Sequence, residues 1–372
     1  MKLLYLSEFV VGRPDGPGVN EFEFFNSLEA IADSVQPVFE KYKPENKKTK
    51  HEYLTRQISL FINLAVLYIK RKRYDVIVAR SGPLPFLTVL ASKMFKCPVY
   101  IKTVGDGRFS VLSSKKTLLH RTLFWLCRFL WKKLLKNTIA VDAVSDSHVA
   151  SFSYEFSFPR ENCYVIDNGV NTRRFNREKG NTCVGDEFFK EWKEKYNAII
   201  GYVGGYPLQR GASELIELSH KFDEINLGIL IVGGEKEEIL DVVNSVGALN
   251  VYVTGQVDYE SVPGYMVNMD IGVSLLDLSA WGASEQKLRQ YISSGVVSIC
   301  TQASNQELIE DGIVIPVDNT ELKTVERAVE MALAWTKREN TQENMHEYAV
   351  EKLSIDARTK LRLEIIKEKI TV

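Results

Sequence analysis

Twice along the chain, short runs of β-branched and aromatic residues alternate with longer stretches of helical period. This repetition constrains the fold more than any other feature of the sequence. The first series is Lys2 to Phe9, Asp75 to Arg80, Pro98 to Val104 and Thr138 to Val144. The second starts at Ala198 to Gly204 and continues through Leu227 to Val232, Val251 to Thr254, Ile271 to Leu275 and Val296 to Cys300. Strands that recur between helices run parallel, because each helix carries the chain back across the sheet. The pattern predicts an α/β protein with two doubly wound, Rossmann-like domains. A length of 372 residues also exceeds what one hydrophobic core ordinarily holds.

Between the two series, residues 168–194 carry Asn168-Gly169, several charges and no sustained period, as an interdomain connector does. The boundary is placed near Thr172, which gives an N-terminal domain of residues 1–171 and a C-terminal domain of residues 172–354. Ser354 then stands as the N-cap of a last helix over 355–372, whose apolar spacing suits packing back on the first domain.

Composition removes several function classes. A formal net charge of −1 does not suit a surface built throughout for nucleic acid, and no nucleic-acid partner is expected. Cys97, Cys127, Cys163, Cys183 and Cys300 are scattered without C-x-x-C spacing, which fits a reducing compartment. The opening MKLLYLSEF reaches Glu8 within one strand length and lacks the apolar core of a secretory signal. Leu60 to Ile69, the longest apolar stretch, contains Asn63 and falls well short of the roughly 20 residues that cross a bilayer. A cytoplasmic protein is expected. The five histidines stand apart from one another and from cysteine pairs, and no G-x-S-x-G surrounds a serine, so neither a metal site nor a serine triad is predicted.

Three segments are suited to phosphate and sugar chemistry. Gly12 to Gly18 is a glycine-rich turn leading into a helix near Val19, where Gly16 and Gly18 let backbone N–H groups approach phosphate oxygens. The competing reading is an ordinary surface loop. Gly201 to Gly211 is a strand, a loop with Gly205, and Arg210 beside a helix start, where a guanidinium can pair with a diphosphate. Arg210 read alone is more readily a solvated surface residue. Ser284 to Gly295 places Ser284 as a cap, Lys287 in the first turn and Gln290 one turn later, within reach of ribose hydroxyls. Each of these also has a routine helix-surface reading.

Together these segments resemble glycosyltransferase family 4, the retaining transferases of GT-B fold. Val165-Ile166-Asp167-Asn168-Gly169-Val170-Asn171 through Phe175 is similar to the family's connector I-x-N-G-V-D, with Asn171 in place of the aspartate. Gly201 to Gly211 resembles the opening of the donor domain, with Arg210 where lysine is usual. Lys287-Leu288-Arg289-Gln290-Tyr291 through Gly295 resembles K-L-x-E-Y-x-x-x-G, with Gln290 replacing the glutamate that holds the ribose. Lys102-Thr103-Val104-Gly105-Asp106 resembles K-x-x-G-D, which makes Asp106 the candidate facing the transferred sugar.

The resemblance implies two Rossmann-like domains facing a central cleft. The second would hold the nucleoside-diphosphate sugar, and the first a glycan or lipid-linked acceptor for surface polysaccharide or glycoconjugate synthesis. It implies retention of anomeric configuration, with the departing phosphate accepting the acceptor's proton. No D-x-D pair is present to hold a divalent cation, so no metal or other cofactor is expected. The donor set is Gly16, Gly18, Gly205, Arg210, Ser284, Glu285, Lys287, Leu288 and Gln290. Two alternatives stay open: a noncatalytic GT-B partner subunit, motivated by Gln290, and a nucleotide-sugar epimerase.

Residues 107–141 contain no acidic residue and eight basic ones, from Arg108 and Lys115 to Lys136. Trp125, Phe129 and Trp131 lie among them, with Arg121, Arg128 and Lys132 on one helical face. Such a segment suits peripheral contact of residues 115–136 with an anionic membrane, on its inner face. A core helix with a basic edge explains the composition equally well.

Overall fold

Leu3, Leu4, Tyr5 and Leu6 are all buried, so the first strand, β1 (Lys2–Val11), is covered on both faces. The computed structural model describes residues 1–12, 16–42, 52–81, 85–102, 118–180, 186–276, 286–301 and 305–371. It divides the chain into two units, Met1–Asn168 with Arg358–Val372, and Gly169–Ala357.

In the first unit the order is β1, α1 (Gly16–Ile31), β2 (Ser34–Lys41), α2 (Glu52–Ile69), β3 (Val76–Arg80), α3 (Phe86–Phe95), β4 (Val99–Lys102), α4 (Leu118–Leu135), β5 (Thr138–Ala143), α5 (Asp146–Phe156) and β6 (Cys163–Val165). The six strands form one parallel sheet in the order β2-β1-β3-β4-β5-β6. Side chains alternate between its faces with period two. Leu4, Leu6, Ile77 and Ile101 pack with Leu60 and Leu64 of α2, Leu87 of α3, Trp131 of α4 and Phe152 of α5. Leu3, Tyr5, Val78 and Tyr100 face the other way, against Phe24 and Leu28 of α1 and Leu363 and Ile366 near the C-terminus.

The second unit begins with two short helices, α6 (Arg177–Gly180) and α7 (Glu187–Lys193), before its sheet. It continues through β7 (Ala198–Val203), α8 (Ala212–Glu217), α9 (Ser219–Glu224), β8 (Leu227–Val232), α10 (Lys236–Val246), β9 (Val251–Gly255), α11 (Val262–Met266), β10 (Ile271–Ser274) and α12 (Gln286–Ser293). It ends with β11 (Val297–Thr301), α13 (Gln306–Glu310), β12 (Val314–Val317), α14 (Leu322–Thr336) and α15 (Thr341–Tyr348). The parallel order is β12-β11-β10-β7-β8-β9 around a single buried core. The last helix, α16 (Ile355–Thr371), contributes residues to both units.

Three strands were not predicted: β2, β6 and β12, each at the edge of its sheet. β2 contains Pro37 and buries only Val38, β6 has three residues, and β12 contains Pro316. Edge strands tolerate proline and expose one margin, so they lack the continuous apolar run that marks a central strand. Helix α1 also starts at Gly16 rather than near Val19, which places Gly16 and Gly18 inside its first turn.

Candidate functional site

In the second unit the chain goes from β7 outward to β8 and β9, then returns to β10 on the other side of β7. The order therefore reverses between β7 and β10. In open parallel sheets, ligands bind outside the carboxyl ends of the strands at such a point. The described segments that leave those ends here are residues 204–211 after β7 and Leu275 and Leu276 after β10.

The first segment is held by close backbone contact. The Gly204 N–H donates to the Val232 carbonyl at 2.9 Å, and the Gly233 N–H to the Gly255 carbonyl at 2.8 Å. Gly204 and Gly233 have φ of +136° and +102°. A Cβ on Gly233 would lie 2.4 Å from the Gly204 carbonyl oxygen, so the turns after β7 and β8 stack only because no side chain intervenes. The loop's far end is tied to β10: the Leu275 N–H donates to the Arg210 carbonyl at 3.1 Å.

Helix α12 is locked onto the same place by Tyr291. Its hydroxyl accepts from the Val203 N–H at 2.8 Å, and its ring lies where a Cβ on Gly272 would be only 2.6 Å away. With the helix fixed, buried Lys287 projects toward the Gly204–Gly205 turn. Its Nζ donates to the Tyr202 hydroxyl at 2.7 Å and stands 3.9 Å from the Tyr202 ring centroid. The Tyr202 hydroxyl in turn donates to the Gly205 carbonyl at 2.7 Å. One cation is thus held over a glycine turn whose Gly205 has open space where a Cβ would stand. That arrangement admits an anion with little rearrangement.

The other predicted donor residues divide. Gln290 is buried, and its Nε2 donates to the Tyr259 hydroxyl at 3.4 Å. The Tyr259 ring carries the Arg174 guanidinium 5.1 Å from its centroid. Leu288 lies in the hydrophobic core. Arg210 is half-buried at the mouth of β10. Gly16 and Gly18 belong to the first unit, at the carboxyl end of β1, where the Gly12 N–H donates to the Gly18 carbonyl at 3.0 Å. Asp106, Ser284 and Glu285 lie outside the described residues. Sequence reasoning missed Tyr202 and Gly233, because a tyrosine inside a strand and a glycine after it read as core and turn. Tyr259 gave no signal.

The first unit holds a buried ionic cluster. Glu21 of α1 accepts from the Tyr5 hydroxyl and pairs with Arg80, and Lys102 Nζ lies 3.5 Å from it. Burial pushes the Lys102 ammonium from its ordinary 10.5 down to about 8, opposed by Glu21. Burial raises the Glu21 carboxyl, but Arg80 and Lys102 outweigh it and hold it below its ordinary value.

No protein-family model and no curated protein matches the sequence. Solved structures do match along nearly the whole chain. A glycosyltransferase from Rickettsia africae is 14% identical with TM-score 0.66, covering 99% of this chain and 98% of its own. Anabaena HepE in complex with UDP is 15% identical with TM-score 0.69, covering 99% and 100%. Sucrose-phosphate synthase from Thermosynechococcus elongatus is 15% identical with TM-score 0.67, covering 100% of both chains. The chain has the GT-B fold. At these identities the likeness establishes the architecture, and the expected pair of Rossmann-like domains is found as two parallel six-stranded sheets. Among the described residues, no helix is long and apolar enough to cross a membrane.

Proposed function

We propose that this chain is a retaining glycosyltransferase that moves a sugar from a nucleoside-diphosphate sugar to a glycan or lipid-linked acceptor, without a metal. The observation that carries the proposal is Lys287, held by Tyr202 above the Gly204–Gly205 turn at the point where the second sheet's order reverses. Anabaena HepE, of the same fold, has been solved with UDP and with UDP-glucose.

In this reading Lys287 and Arg210 neutralise the charge that develops on the departing diphosphate, the task a divalent ion performs elsewhere. Gln290 and Tyr259 offer an amide and a hydroxyl to the ribose. Asp106 is the candidate facing the sugar, and the leaving phosphate takes the acceptor's proton. Gln290 supports one rival, a noncatalytic subunit that retains the fold, because an amide gives up the charged hydrogen bond a carboxylate makes.

The test is titration calorimetry against UDP, GDP, CDP and ADP in the presence of a chelator. One nucleotide should bind, and Arg210→Ala and Lys287→Ala should each weaken it by about 10- to 100-fold while the matching nucleoside loses far less. Equal losses for nucleoside and nucleotide would remove both cations from the phosphate site. Binding without sugar transfer, recovered by Gln290→Glu, would favour the noncatalytic reading.

A further inference from the structure

Helices α2, α3, α4 and α5 form one layer over the first sheet, and α3 packs against both α2 and α4. The outer side of this layer is unusually apolar. On α2, Leu60 and Leu64 enter the core, while Ile58, Phe61, Ile62 and Val66 on the opposite stripe are exposed, as is Ile69. On α4, Trp131 and Leu134 are buried, whereas Trp125 is 74% exposed, with Leu126 and Phe129 beside it. Arg121, Thr122 and these three apolar residues line a shallow hollow. Of the two α4 tryptophans read from sequence as interfacial, only Trp125 faces outward.

The charges around this face are mostly of one sign, Asp75 and Glu155, which pairs with Arg128, being the acidic exceptions. In a parallel sheet the crossover helices run against the strands, so the C-terminal ends of α2, α3 and α4 lie along one edge of the layer. The exposed run Lys70-Arg71-Lys72-Arg73 follows α2, Lys93 and Lys96 end α3, and Lys132, Lys133 and Lys136 end α4. From residue 53 to 141 the sequence holds seventeen Lys and Arg against two acidic residues, Asp75 and Asp106, in a chain whose net charge is −1. A lysine or two at a helix C-terminus is explained by the helix dipole. That explanation does not account for three basic ends beside eight exposed large apolar side chains.

We propose that the outer face of α2 and α4, with its basic edge, docks on an anionic phospholipid bilayer. The occupant follows from the charge. An isologous dimer through this face would set cation against cation, whereas phosphate headgroups compensate the basic edge and accept Trp125 and the apolar stripe at the interface. The inference deepens the transferase reading, on which its meaning rests: a surface-bound first unit would meet an acceptor carried by lipid.

The test is co-sedimentation of the whole chain with vesicles of phosphatidylcholine, with and without phosphatidylglycerol, with binding of UDP, GDP, CDP and ADP measured on the same samples. The wild type should bind only the anionic vesicles and release at high salt. Replacing Lys70, Arg71, Lys72 and Arg73 by Gln should lower partitioning by roughly 100-fold or more. Ile62→Ser with Trp125→Ser should lower it about tenfold or more, and both variants should keep the wild-type nucleotide affinity because the substituted side chains are exposed. Equal binding to neutral vesicles, unchanged binding by either variant, or a concentration-dependent dimer that the substitutions dissolve would overturn docking. Failure to bind UDP, GDP, CDP or ADP with vesicle binding intact would count against the transferase reading alone.

Discussion

A methyl group on Gly233 would stand 2.4 Å from the Gly204 carbonyl oxygen, at a backbone φ of +102°. Either the turn after β7 or the turn after β8 must then move, and both are main chain, so no side chain can swing aside. Gly233→Ala should destabilise the protein by about 2–4 kcal/mol, read as a fall in thermal midpoint, and should weaken nucleotide binding because Gly204 and Gly205 shift with it. Gly205→Ala is the control. No atom lies within 4 Å of its added Cβ, so stability should stay within about 0.5 kcal/mol of wild type. A loss of UDP affinity in Gly205→Ala, without a loss of stability, would place the ligand against that turn. A normal melting curve for Gly233→Ala would mean that the two turns are not locked as described.

At the level of elements, Glu21 joins α1 to β1, β3 and β4 through Tyr5, Arg80 and Lys102. Removing its charge leaves two buried cations short of a counterion, and Glu21→Gln should cost about 3–5 kcal/mol in chemical denaturation. The pH dependence has a definite sign. Glu21 is held below its ordinary 4.5 in the fold, so its contribution is present above that value and lost as pH falls through the folded pKa. Lys102 is lowered from 10.5 to about 8, so the fold gains stability as pH rises through that window, where the unfolded chain binds the extra proton. Glu21→Gln should lose this part of the acid limb and begin the alkaline gain at lower pH. This cluster was illegible in the sequence because its two cations lie 59 and 81 residues from Glu21. Central strands such as β1, β3 and β8 were legible from continuous apolar runs. The edge strands β2 and β12 were not, because Pro37 and Pro316 and partial exposure erase that pattern. In the proposed donor site, the loop and helix that carry Arg210, Lys287 and Gln290 were readable as motifs. Tyr202, which holds Lys287, read only as a strand position, and Tyr291 was read as part of the motif without its bond to Val203.

At the level of the whole molecule, two units of the same architecture have different surfaces. The first concentrates positive charge and exposed apolar side chains on its helical layer, and the second brings a glycine turn and a buried lysine to the switch point of its sheet. Two ligands should therefore leave separate footprints in hydrogen exchange. The nucleotide that binds among UDP, GDP, CDP and ADP should slow exchange of residues 203–211 and 286–293, by a factor that rises with its concentration above Kd, because a ligand stabilises whatever must stay closed to hold it. Phosphatidylglycerol vesicles should slow exchange along α2 and α4 and leave residues 203–211 at their free rates. The contrast depends on the positions of Lys287 and Trp125 in different units, not on the size of either effect. Protection of α4 by that nucleotide, with residues 286–293 unchanged, would move it to the first unit and remove Lys287 from the proposed donor site.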